Sequence, residues 1–83
     1  MSQAGSTTTR TLAATLERDR LEHRVSRVVI ALAALRERAR EHRSDLGGAP
    51  MHIRKAIADF EAQLAAMNTR LRDLGHDLST AAH

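Results

Sequence analysis

The sequence predicts an all-α chain folded as an antiparallel two-helix hairpin of the coiled-coil type, with two hairpins paired into a four-helix bundle. Three observations carry this expectation. Apolar residues recur in alternating steps of three and four along two long segments, the spacing of a coiled-coil seam. A breaker, Gly47-Gly48-Ala49-Pro50, separates the segments. The segments also match about that breaker, so that each seam residue finds a partner whose number sums with its own to 99. The pairs are Leu46/Ile53, His42/Ile57, Ala39/Phe60, Leu35/Leu64, Leu32/Met67, Val28/Leu71, Val25/Leu74 and Leu21/Leu78.

Each element has its own local grounds. Residues 1–8 are small and polar, the composition of a disordered arm, and the threonines around its end are candidate N-caps. The first helix is expected over 9–46. Arg40 and Arg43 lie near its C-terminus, where cations suit the macrodipole. Gly47 fits a left-handed position just past the helix end, and the turn is placed at 47–49. Pro50 opens the second helix, 50–78, where its missing N–H costs nothing. Gly75 weakens the last turns by about 1 kcal/mol relative to Ala. Residues 80–83 form a tail.

Composition narrows what the chain can do. Eighty-three residues make one domain, 42% hydrophobic with Phe60 as the sole aromatic. The absence of Cys removes disulfide and thiolate chemistry. The first twenty residues lack the continuous apolar core of a secretory leader, and the longest apolar run, 28–35, is far short of a membrane span, so a cytoplasmic location without membrane contact is expected. Twelve Arg against one Lys, Lys55, points to a GC-rich coding bias of the bacterial kind.

Some apolar residues do not belong to the seam. Leu12 and Leu16 fall off the line set by Leu21 and Val25, because the step from Leu16 to Leu21 is five. The stretch 28–35 is apolar all round, which leaves Val29 and Ile30 pointing away from the seam. A helix apolar on every side is normally buried on every side. Ala58, Ala62 and Ala65 give the second helix a small-residue face, also off the seam. These seven residues are the candidate interface with a second copy, as a homodimer or higher assembly, or with a helical protein partner.

Charge marks a second candidate site. The formal net charge of +3 is concentrated between Arg36 and Lys55, where six basic residues outnumber three acids. Arg36, Arg40, Arg43, Arg54 and Lys55 therefore make a basic knob able to meet phosphates or an acidic partner. The absence of further aromatics argues against stacking on single-stranded bases.

Catalysis finds little support. No nucleophile elbow, phosphate loop or inward-facing ligand set is present, and an aliphatic seam has nothing to stabilise a transition state. Asp19, Glu22 and His23, and likewise Asp73, His76 and Asp77, fall on outward faces, whereas bundle metal sites project inward. No enzyme, cofactor or metal is expected. His42, in the seam near the tip, reads as a partly solvated structural histidine. The expected function is a non-catalytic oligomeric module in protein–protein interaction, assembly or regulation. The alternative is a nucleic-acid-associated protein that binds phosphates through its tip.

Overall fold

The computed structural model describes residues 2–81, with side chains over residues 9–80. Two α-helices, α1 (Ser2–Glu41) and α2 (Met51–Ala81), pack along one another, and there is no strand among the described residues. Ion pairs join Glu17 to Arg70 and Arg36 to Glu61, so chain order runs in opposite senses in the two helices. The molecule is a rod of 67 × 17 × 15 Å.

The seam is where the heptad pattern puts it. Leu21, Val28, Leu32, Met67 and Leu74 form the buried cluster, and Val25, Ile57, Phe60, Leu64 and Leu71 pack against it. Ile53 is buried too, near the turn. Helix-favouring Ala, Leu, Arg and Glu fill the positions between.

The limits of the elements differ from expectation. α1 begins at Ser2, so residues 2–8 continue the helix in place of a disordered arm; Met1 lies outside the described residues. The segment contains no proline, and once a helix is nucleated each added residue gains a hydrogen bond. α2 runs through Thr80 to Ala81, past Gly75, with the Thr80 hydroxyl donating to the His76 carbonyl at 2.9 Å. That places the first two residues of the expected tail within the helix, while 82 and 83 lie outside the described residues.

α1 ends at Glu41, five residues before the expected limit of the 9–46 helix, and the connection takes up 42–50 rather than 47–49. Tight turns replace the last helical turn. Asp45 N–H donates to the His42 carbonyl at 3.0 Å, and Gly48 N–H to the Asp45 carbonyl at 3.0 Å. The Asp45 carboxylate also pairs with the His42 ring across this turn, Nδ1 to Oδ2 at 2.6 Å. Gly47 and Gly48 follow with φ of 86° and 75°, the left-handed region that favours glycine. Leu46 is thereby turned out to full exposure at 106%, not paired with Ile53. Pro50 stands just outside α2, and its carbonyl accepts from Ile53 and Arg54 N–H at 3.1 Å each.

This longer connection changes the register. Glu17 holds Arg70 in a forked pair, Nε to Oε2 at 2.8 Å and Nη2 to Oε1 at 2.9 Å. In the register that sums to 99, Glu17 would stand about 18 Å of helix rise beyond Arg70, more than the two side chains bridge. Arg36 reaches Glu61 at 3.6 Å near the other end. Both pairs fit arms slipped by one heptad. Ala39 then faces Ile53, Leu32 faces Phe60 and Val25 faces Met67. The expected pairs Ala39/Phe60 and Leu32/Met67 are each one heptad out. A seven-residue slip returns the central seam residues to other seam residues, so the two registers bury the same central side chains and differ at the ends, where Leu46 leaves the seam and Ala14 and Arg18 enter it.

Candidate functional site

Helix geometry decides which apolar residues the hairpin covers. Ile30 lies two residues from both Val28 and Leu32, roughly 200° around the helix from each. It therefore points away from α2 and stays 70% exposed. Leu12, at 60% exposure, and Leu16 lie on the same outward side. Val29 is half exposed on the flank that also carries Arg36. Ala14, not Leu12 or Leu16, continues the seam and packs on the core cluster.

Ala58, Ala62 and Ala65 are exposed along α2, on the side away from Phe60, Leu64 and Met67. The α1 face and this α2 face thus lie on opposite sides of the hairpin.

The seam changes character beyond Leu21. Arg18 occupies the next seam position, with its Nε buried and without a hydrogen-bond partner. The Asp19 carboxylate stands 3.9 Å from that nitrogen and the Glu22 carboxylate 4.0 Å. Next to it, the forked bond from Arg70 lowers the Glu17 pKa below the ordinary carboxylate value and raises that of Arg70. The sequence reading missed this pair. Its only signal is a Glu and an Arg each flanking the seam, and the two come together only in the slipped register.

On the outward side of α1, Asp19, Arg20, His23, Arg24 and Arg27 line a shallow open hollow that belongs to one helix alone. His23 makes no hydrogen bond or ion pair among the described residues, and Asp19 has only the distant approach of Arg18. No group of three or more His, Asp or Glu among the described residues is placed to hold a metal ion.

The basic tip is partly neutralised from within. Arg36 pairs with Glu61, and the Arg40 guanidinium donates to Glu37, Nε to Oε2 at 3.1 Å. Arg43, Arg54 and Lys55 are exposed and make no ion pair among the described residues. His42 is half buried at the end of the seam and tied to Asp45, a structural placement. Leu46 and Met51 add two exposed apolar side chains to the tip.

No helix of the described residues is long and apolar enough to cross a membrane. Comparison with protein-family models, with curated proteins and with solved structures finds no match to this chain.

Proposed function

We propose that the chain is a non-catalytic, self-associating helical hairpin that works through the outward face of α1 in assembly or regulation. One observation carries the reading: Ile30, Leu12 and Leu16 stay exposed on a helix face that the hairpin's own second helix does not reach. Apolar side chains gathered along one helix face favour burial against another helix. The narrow two-layer rod adds to this, since one seam per helix gives a small core that gains from a partner.

Mass from sedimentation equilibrium tests the proposal directly. The wild type is expected to exceed the monomer mass at micromolar concentration. Ile30→Glu is expected to return the monomer with helicity intact, because an unpaired carboxylate resists burial. A monomeric wild type, or an Ile30→Glu variant of unchanged mass, rejects it.

A second reading rests on the exposed cations Arg43, Arg54 and Lys55, which are available for phosphates at the tip. It expects retention of duplex DNA at near-physiological salt, lost when Arg40, Arg43, Arg54 and Lys55 are neutralised together. Each phosphate contact removed should lower the log–log salt slope by about 0.9. Under the favoured reading the same variant keeps its oligomer mass, and the wild type does not retard DNA.

A further inference from the structure

We propose that the second copy binds antiparallel along α1, with its two-fold axis level with Leu21 and with Asp19 of each copy facing His23 of the other. This rests on the self-association proposed above and specifies its geometry. The outward residues of α1 make a second heptad stripe: Leu12, Leu16, Asp19, His23, Ser26 and Ile30, in steps of four, three, four, three and four. All six are exposed and stand on the side away from α2.

The stripe is complementary to its own reverse. Turned end for end about the level of Leu21, it sets Leu12 against Ile30 of the second copy, Leu16 against Ser26 and Asp19 against His23. Every contact then occurs twice, as an isologous two-fold interface requires. The polar centre is what selects this partner and orientation. Asp19 and His23 lack a close partner within the chain, and the reverse pairing gives each the opposite charge or a hydrogen bond. A parallel pairing would set Glu22 near Arg27, but it would stack Asp19 on Asp19 and His23 on His23 at the centre. Arg20 and Arg27 flank one side of the stripe and Glu22 the other, and on each side like charges meet across the axis. Their exposed side chains can turn to water, and those edges temper the affinity without changing the register.

The chain has no cysteine, so engineered thiols report the geometry cleanly. Leu12→Cys and Ile30→Cys chains are prepared separately, one carrying a mass tag, mixed as folded protein and oxidised. The expected product is the mixed disulfide, with neither homodisulfide, because like positions lie about 27 Å apart along the antiparallel pair. In parallel, His23→Asp is expected to weaken dimerisation more than about tenfold. Adding Asp19→His to it should restore the wild-type constant, with circular dichroism unchanged throughout. Homodisulfides, or a dimeric wild type that yields no mixed disulfide, overturn this geometry and leave self-association standing. Failure of the charge exchange to restore dimerisation overturns the Asp19–His23 contact. A monomeric wild type overturns both proposals together.

Discussion

Leu32 and Ile30 are two residues apart in one helix, both large and aliphatic, yet the hairpin treats them oppositely. Leu32 is 2% exposed at the centre of the seam, whereas Ile30 is mostly in water. Leu32→Ala removes an almost fully buried side chain, a change that costs about 2–5 kcal/mol across protein cores. A single seam can close partly around the gap, so the lower half of that range applies, about 2–3 kcal/mol. For a domain of this length each kcal/mol lowers Tm by about 4–8 °C, which gives a fall of about 8–24 °C. Ile30→Ala gives up only the part of its side chain that α1 itself covers. Its expected cost is below about 1 kcal/mol in the monomer. Thermal melts followed by circular dichroism measure both, at concentrations low enough for the monomer to dominate. Equal losses from the two substitutions, or a Leu32→Ala melt within 3 °C or so of the wild type, would show that the seam is not where the stability resides.

Three further outcomes are expected. Ala39→Cys with Ile53→Cys should oxidise to an intramolecular disulfide in the folded hairpin, while Ala39→Cys with Phe60→Cys should not; the reverse result restores the register expected from sequence. Gly47→Ala should destabilise by about 1 kcal/mol through its left-handed backbone alone, since a Cβ there meets nothing within 4 Å. Gly75→Ala, helical and equally open, should stabilise by about 1 kcal/mol, and urea midpoints with unchanged slopes check both. Finally, the Glu17 carboxyl has its pKa lowered in the folded state, chiefly by the hydrogen bond from Arg70. Its contribution is therefore complete above the unfolded carboxylate value and disappears as pH falls through the lowered folded one. The stability difference between wild type and Glu17→Gln should be present at pH 7, shrink in strong acid, and diminish with added salt. A difference that grows on acidification would contradict the sign.

The sequence was informative where a rule has one solution. A three–four spacing leaves little choice about which residues face the seam, and Leu21, Val28, Leu32, Met67 and Leu74 are buried accordingly. The misfit of Leu12, Leu16 and Ile30 was visible for the same reason. The end of α1 was not visible, because Leu46 completes the heptad and precedes a glycine. What decides against it is the cumulative preference of His42, Asp45, Gly47 and Gly48 for turns. Register was hidden for a deeper reason. A heptad pattern defines pairing only to within seven residues, and the choice falls to turn length and to flanking pairs such as Glu17–Arg70. The candidate interface face was legible as a set of residues, but the opposite aspects of the Ile30 and Ala58 faces emerge only once the seam of each helix is fixed.

The rod shape has a practical consequence for every measurement of size. The radius of gyration is 18.7 Å, where a globular chain of this length would have about 12 Å. Such a particle diffuses slowly for its mass and leaves a sizing column early, so a lone hairpin can pass there for a dimer. Two copies joined side by side through α1 thicken the rod more than they lengthen it, and their elution shifts less than the doubling of mass suggests. Elution volume is therefore a poor judge of association for this molecule, whereas scattering intensity and sedimentation equilibrium, which weigh the particle without regard to its outline, separate the two states.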